Sequence, residues 1–207
     1  TRLLKEQELR DWYELYPEKF NNKTNGITQR RWLLSANEEL SEFITKRIGH
    51  GWEKDLTLLK GLEKYADDDA SLQELMDIKR HNKEILVDFL KHKQNEFLDP
   101  DSIFDVQVKR LHEYKRQLLN ALNIVIIYNR MKNDKAYRES FQPTTFLFGG
   151  KAAPGYVNAK LIIKFINSIA HVINTDPQVN DKLHVYFMPD YRVTLAENII
   201  PATNLSE

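Results

Sequence analysis

The first hydrophobic pattern along the chain has helical spacing. Leu9, Trp12 and Leu15 lie three residues apart among charged neighbours, which predicts a short amphipathic helix over residues 3–16. The polar segment 17–26 follows and ends in an Asn-Gly pair, a combination typical of tight turns. We therefore expect a domain boundary in this segment.

Two serine–x–x–glutamate patterns indicate where further helices begin. In this arrangement, a capping box, the serine and glutamate side chains satisfy each other's free backbone N–H groups. The pattern beginning at Ser35 precedes an apolar stripe that includes Phe43, and the pattern beginning at Ser71 precedes the longest predicted helix, which extends to about residue 97. A shorter helix is predicted over residues 53–65. We interpret these apolar stripes as core packing.

Beyond residue 100, predicted strands alternate with predicted helices. Val106 and Val108 alternate with Asp105 and Gln107, which predicts a strand. Further along, the pattern predicts a helix over 112–132, a buried strand at 146–148, a helix over 156–174, a strand at 185–188, and a helix over 193–200 that Pro201 ends. This alternation favours an α/β fold in which right-handed crossovers build a parallel sheet.

Composition narrows the function classes. The 207 residues contain 30 Lys and Arg against 30 Asp and Glu, so a formal net charge of zero gives no electrostatic reason to expect nucleic acid or a membrane surface as a partner. The absence of cysteine excludes disulfides and thiolate catalysis. No apolar run approaches the roughly 20 residues of a membrane span. Because the chain opens on Thr1, we expect it to be a piece of a longer polypeptide.

The densest concentration of candidate chemistry is the basic cluster that runs from Lys109 to Arg116. It begins where a strand is predicted to end and continues into the first turn of a helix. Ligands of open α/β sheets bind at the carboxyl ends of the strands, and cations beside helix N-termini favour a polyanion such as phosphate. Cations oppose the positive end of a helix dipole, so stability alone does not explain them. A solvated basic helix start is the alternative interpretation.

Two weaker motifs follow later strands. The segment from Gly149 to Tyr156 has neither the spacing of a phosphate-binding P-loop nor that of the dinucleotide fingerprint, so a structural turn is the favoured interpretation. The Tyr191-Arg192 pair at the end of the third predicted strand combines a ring and a guanidinium that suit a flat or anionic ligand. The six histidines have no metal-ligand spacing, and we predict no metal site.

Four segments together resemble the α-glucan phosphorylase family, which contains the glycogen, starch and maltodextrin phosphorylases. They are Asn22–Thr28, Val106–Asn120, Gly149–Tyr156 and Tyr191–Pro201, and the resemblance extends over essentially the whole chain. It implies a piece of a two-domain, GT-B type glycosyltransferase: residues 1–25 as the tail of the N-terminal domain, and residues 26–207 as the first part of the C-terminal domain. That part would be a partial Rossmann-like parallel sheet with helices, preceded by a helical segment.

The resemblance also implies an activity and its requirements. Such enzymes cleave the terminal α-1,4-glucosidic bond of a glucan with inorganic phosphate and release glucose 1-phosphate. They bind pyridoxal 5′-phosphate, are mostly cytoplasmic homodimers, and need neither nucleic acid nor membrane. The family's cofactor lysine lies a few dozen residues beyond the region that matches Leu205–Glu207, which implies that this chain holds no covalent cofactor and is inactive by itself.

Individual roles follow only where residues match the family's motifs. Arg110 and Lys115 match the catalytic residues that bind the substrate phosphate. Lys109, Tyr191 and Arg192 match residues that contact the cofactor.

Three further positions match the sugar-binding region, and one departs from the family. Asn25 and Tyr114 match groups that bind sugar hydroxyls, and Tyr156 matches an aromatic residue at the entrance of the catalytic site, where animal members bind purine-type inhibitors. Gln29 stands where the family usually has proline, for which we expect only a local effect on the turn.

Three alternatives to a phosphorylase remain open. A nucleotide-sugar glucan synthase of similar architecture would depend on a nucleotide instead of phosphate, and the Lys109–Lys115 segment argues against it. A carbohydrate- or partner-binding module could keep the fold without catalysis. Self-association through surfaces that a truncation exposes is the third.

Overall fold

The computed structural model describes residues 1–23, 26 and 28–207, and its helices and strands alternate in the C-terminal half of the chain. The α-helices are α1 (Arg10–Leu15), α2 (Glu38–Ile48), α3 (Asp69–Gln94), α4 (Gln117–Asn133), α5 (Lys135–Ser140), α6 (Val157–Thr175) and α7 (Val193–Ala202). The strands are β1 (Ile103–Val108), β2 (Thr144–Gly149), β3 (Leu183–Met188) and β4 (Leu205–Ser206). Shorter helical segments are Leu4–Glu8 and Arg30–Ser35 of π type, and Pro17–Lys19, Leu56–Tyr65 and Glu113–Lys115 of 3-10 type.

The four strands form one parallel sheet in the order β3-β2-β1-β4. The chain moves outward from β1 through β2 to β3, and then α7 carries it back to the other side of β1, where β4 pairs. The sheet therefore reverses its direction of growth between β1 and β4, which is the topological switch point of a doubly wound fold. The predicted α/β fold with a parallel sheet is confirmed.

Helices cover both faces of the sheet. Phe146 and Phe148 of β2 pack into the core that α4 and α6 build on one face, while Leu147 packs with α3 and α7 on the other. A strand that is buried on both faces has no solvent-facing positions, which explains the unbroken apolar run in β2. No helix in the described part of the chain is both long and apolar enough to span a bilayer.

A small helical unit precedes the sheet and has its own core. Phe43 and Ile44 of α2 pack against Trp52, which is fully buried. The Trp52 indole Nε1 donates to Thr45 Oγ1 at 3.1 Å, so the polar atom of this large side chain is satisfied. This unit packs on α3 and does not contribute a strand to the sheet.

Both capping-box predictions are wrong. Helix α2 begins at Glu38 with Asn37 as its N-cap, so Ser35 lies in the preceding helical segment. Helix α3 begins at Asp69, and the Asp68 carboxylate accepts from both the backbone N–H (2.9 Å) and the hydroxyl of Ser71. A carboxylate at the N-cap also interacts favourably with the helix dipole, and it takes the position that the serine pattern had suggested.

The other differences from the prediction concern the end of α7, the segment 53–65, α5 and β4. The helix predicted to stop at Pro201 continues to Ala202. Proline removes one helical hydrogen bond, but the Lys79 ammonium donates to the carbonyls of Pro201 (2.6 Å) and Thr203 (2.8 Å) and stabilises this end of α7. The helix predicted over 53–65 is the 3-10 segment from Leu56. Helix α5 and the two-residue strand β4 were not predicted.

Candidate functional site

A cleft of about 290 Å³ lies at the carboxyl ends of β1 and β4, on the topological switch point. Strand β4 reaches this position because the Asn204 side chain accepts from the backbone N–H of Phe104 (2.9 Å) and the Glu207 N–H donates to the Val106 carbonyl (3.0 Å). Ligands of open α/β sheets bind at this kind of crevice. The cleft is lined by Gln107, Lys109, Lys115, Arg116, Asn120 and Glu207, among others.

Positive side chains dominate the cleft. Lys109 follows β1, and Lys115 and Arg116 precede α4, so three cations from two segments meet opposite the single carboxylate of Glu207. This arrangement suits an anion with several oxygen atoms, such as phosphate. Within the described residues, no group of three or more His, Asp or Glu side chains is placed to hold a metal ion.

The loop between β1 and α4 is irregular, contrary to the helix predicted from residue 112. Residues Glu113–Lys115 form one 3-10 turn, and Arg116 then takes a left-handed conformation with φ of 62° before α4 begins at Gln117. That conformation is uncommon for a residue with a side chain, so the loop needs contacts that fix it.

Two buried amide side chains make such contacts. Gln117 donates from Nε2 to the Arg110 carbonyl at 3.0 Å and accepts at Oε1 from the His112 N–H at 3.4 Å. Gln107, on β1, donates to the Lys115 carbonyl at 3.4 Å and accepts from Asn120 at 3.2 Å.

The glycine pair at the end of β2, Gly149 and Gly150, allows the loops after β1 and β2 to touch. The Lys109 N–H donates to the Gly149 carbonyl at 3.0 Å, and the Leu111 N–H donates to the Lys151 carbonyl at 3.2 Å. A Cβ atom on Gly150 would collide with the Lys109 carbonyl oxygen. A glycine is needed here for close backbone approach, in agreement with the structural interpretation of this motif.

Tyr191 and Arg192 lie at the carboxyl end of β3. The half-buried Tyr191 ring lies beside Gly149, and burial raises the pKa of its hydroxyl. Arg192 donates from Nη1 to the Asp190 carboxylate at 2.6 Å, and the Lys151 ammonium lies 3.9 Å from the same carboxylate. Asp190 therefore pairs with the guanidinium that was predicted to contact a ligand.

A third group of side chains connects the loop between β1 and α4 to the start of α6. Glu113 accepts from the Tyr156 hydroxyl at 2.6 Å and from the Asn158 amide at 3.2 Å, which ties the loop to the start of α6. The hydrogen bond from Tyr156 lowers the pKa of Glu113 and raises the pKa of Tyr156. The His112 ring lies 4.3 Å from the Tyr114 ring and 5.1 Å from the Tyr156 ring, centroid to centroid.

The predicted site residues do not all meet in the cleft. Lys109 and Lys115 line it together. Arg110 is exposed on the same loop, and Tyr114 is 70% exposed. Tyr191 and Arg192 belong to the end of β3, two strands from β1. Asn25, the first residue of the predicted Asn-Gly turn, lies outside the described residues.

Sequence reasoning missed Asp105, the one carboxyl group within the four described strands. It is 8% exposed, and its Oδ1 has no hydrogen-bond partner among the described residues. Burial, together with the nearby charge of Glu207, raises the pKa of Asp105 to about 6. The available signal was its position, because a polar residue on a central parallel strand is buried. The same signal applies to Gln107.

Known proteins of one family match this chain over its entire length. The family model for carbohydrate phosphorylases matches residues 1–207. Glycogen phosphorylase of Synechocystis is 50% identical over 207 residues, which is 100% of this chain. The liver forms of glycogen phosphorylase from Ovis aries and Homo sapiens are 52% and 51% identical over 205 residues, or 99% of this chain. The chain spans about a quarter (24%) of the length of each of these relatives.

Proposed function

Because this chain belongs to the carbohydrate phosphorylase family, we propose that it is a segment of an enzyme that cleaves terminal α-1,4-glucosidic bonds with inorganic phosphate. The product is glucose 1-phosphate, and the enzyme is a glycosyltransferase that degrades glycogen or related glucans. The proposal rests on the cationic cleft at the switch point, in a chain whose sequence is 50% identical to a glycogen phosphorylase.

In this proposal the loop before α4 binds the substrate phosphate. Lys115 lies in the cleft, and Arg110 reaches the phosphate from the exposed side of the same loop. Their positive charges stabilise the phosphate as it approaches the anomeric carbon and the negative charge that develops as the glycosidic bond breaks. Both side chains act by position and charge, so the orientation of the loop determines how well they work.

The same edge of the sheet fits a second phosphate group, that of pyridoxal 5′-phosphate. Lys109 supplies a cation at the end of β1, and Tyr191 and Arg192 supply a half-buried ring and a guanidinium at the end of β3. A ring beside cationic donors suits a flat, phosphorylated cofactor. When bound, the cofactor supplies a phosphate group that takes part in proton transfer with the substrate phosphate.

The rest of the proposal concerns the complete protein. Residues 1–25 belong to the end of its N-terminal domain and residues 26–207 to the start of its C-terminal domain. Asn25 and Tyr114 hydrogen-bond sugar hydroxyls, and the exposed hydroxyl-bearing ring of Tyr114 is suited to that contact. The complete enzyme is a cytoplasmic homodimer that acts on a glucan and inorganic phosphate.

The dependence of the reaction on inorganic phosphate or on a nucleotide sugar distinguishes this function from the synthase alternative. The full-length protein that contains this chain, loaded with pyridoxal 5′-phosphate, is incubated with maltodextrin and either inorganic phosphate or buffer alone. We expect glucose 1-phosphate only with phosphate, and in the reverse direction chain elongation from glucose 1-phosphate. Elongation from a nucleotide sugar, with no response to phosphate, would support the synthase instead.

A further inference from the structure

We propose that Gln117, together with Gln107, is a positioning residue that fixes the loop carrying Arg110 and Lys115 for phosphate binding. This inference rests on the proposed function and deepens it. Gln117 does not line the cleft, and Gln107 lines it at the end of β1. In the proposal both glutamines act through the backbone of the residues that bind phosphate.

Gln117 is placed to hold the first part of the loop. Its side chain is 1% exposed, although it belongs to the first turn of α4. Its two polar atoms make opposite contacts: Nε2 donates to the Arg110 carbonyl, and Oε1 accepts from the His112 N–H. An amide side chain supplies a donor and an acceptor in a fixed relation without depending on pH. One side chain therefore contacts the backbone of both Arg110 and His112.

Gln107 holds the second part of the loop from the direction of the sheet. It is 4% exposed at the carboxyl end of β1, and its Nε2 donates to the Lys115 carbonyl. Asn120 of α4 donates to its Oε1, which fixes the orientation of the amide. The loop is thus held by one glutamine from the helix and one from the strand.

The loop depends on these contacts because its own backbone forms little regular structure. One 3-10 turn is followed by the left-handed residue Arg116, which costs free energy unless its neighbours hold it. Arg110 is exposed, so packing does not fix it. Charge-assisted hydrogen bonds to phosphate depend on distance and angle, so a shift of Arg110 or Lys115 after the loss of either contact would weaken phosphate binding.

The substitution Gln117→Glu replaces the amide group by a carboxyl group of nearly the same size and shape, which has no hydrogen when ionised and one when protonated. As a carboxylate, Glu has no hydrogen to donate to the Arg110 carbonyl, but as a carboxylic acid it can donate again. Burial raises the pKa of such a group, so protonation occurs within the pH range in which enzymes can be assayed. We expect the KM for phosphate of the full-length enzyme to rise about tenfold at about pH 7.5 and to recover towards the wild-type value near about pH 5.5.

A purely structural role would give a different result. If Gln117 only stabilises the fold, Gln117→Glu lowers the concentration of active enzyme, so kcat falls while the KM for phosphate stays constant at both pH values. That result would overturn the inference. Gln178→Glu is the matched control, because it adds the same charge at an exposed turn before β3. We expect it to leave the KM for phosphate unchanged.

Two further measurements keep the inference testable. If Gln117→Glu does not fold, Gln117→Met tests the same contacts without adding a charge, because methionine has a similar length and cannot donate to the Arg110 carbonyl. We expect Gln117→Met to raise the KM for phosphate at both pH values, and an unchanged KM would overturn the inference. If the wild-type enzyme makes no glucose 1-phosphate, the proposed function fails, and calorimetric titration of the full-length protein with inorganic phosphate then decides. Weaker binding by the variant at about pH 7.5 supports the inference, and equal binding or none by the wild type overturns it.

Discussion

Replacement of Asp105 by asparagine should make the chain more stable at neutral pH. Asp105 is buried on β1, and one of its carboxyl oxygens has no partner among the described residues. Asparagine has nearly the same shape and no charge, so Asp105→Asn removes the cost of holding a negative charge in the sheet beside Glu207.

The expected magnitude follows from the pKa. The pKa of Asp105 rises from an ordinary value of 3.8 to about 6 in the folded chain, with burial as the main cause and Glu207 as the second. A shift of about 2 units corresponds to about 3 kcal/mol. Since the folded chain binds this proton more tightly than the unfolded chain, the free energy of unfolding of the wild type falls as pH rises from about 4 to about 6 and stays lower above that range.

Urea unfolding of the wild type and of Asp105→Asn at a series of pH values measures this effect. The variant's advantage over the wild type in free energy of unfolding should grow by about 3 kcal/mol between about pH 3 and pH 7, because Asp105 is neutral at low pH and charged at neutral pH. The other titratable groups are the same in both proteins, so their pH dependence cancels in this difference. Asp67→Asn, at an exposed position, is the control and should give no comparable change. A difference that does not vary with pH would refute the reasoning.

Two other changes have outcomes that the structure specifies. Gly150→Ala should destabilise the chain by about 1–3 kcal/mol in urea unfolding, since the new Cβ meets the Lys109 carbonyl, whereas Gly155→Ala meets nothing and should be neutral. An equal effect of both would contradict the close-approach argument. Asp176→Asn should lower Tm at pH 7. The hydrogen bond from the Lys132 ammonium is the main cause that lowers the pKa of Asp176 to about 2. The ionised Asp176 therefore stabilises the fold above about pH 4, and this stabilisation is lost as pH falls towards 2. Thermal melts in which the deficit does not shrink below pH 4 would contradict this.

The sheet was predictable because each main strand is an unbroken or alternating apolar segment. The short apolar run Phe146–Phe148, followed by two glycines, is typical of a buried parallel strand. Strand β4 has only two residues, and it is recognisable only from its pairing with β1 and the Asn204 side chain that binds Phe104. Helix starts were harder to predict, because a serine pattern competes with nearby residues such as Asp68 that cap better in the folded context.

Part of the candidate site could be recognised in the sequence from its charge. The cationic segment from Lys109 to Lys115 indicated an anion site at the end of a strand, and the structure places both lysines in the cleft. The glutamines at 107 and 117 were not predictable from spacing, because their importance lies in backbone carbonyls that come within reach only after the loop has folded. Asp105 was missed since alternation in a strand does not reveal that both faces are covered.

The most direct test of the proposed phosphorylase activity is the effect of Lys115→Ala in the full-length, cofactor-loaded protein. Glucose 1-phosphate is measured with maltodextrin and inorganic phosphate, with Lys164→Ala, at an exposed position of α6, as the matched loss of a positive charge. The account predicts product formation by the wild type and the control, and a loss of about a hundredfold or more for Lys115→Ala. Equal activity of the two variants, or a folded wild type that makes no product, would contradict it.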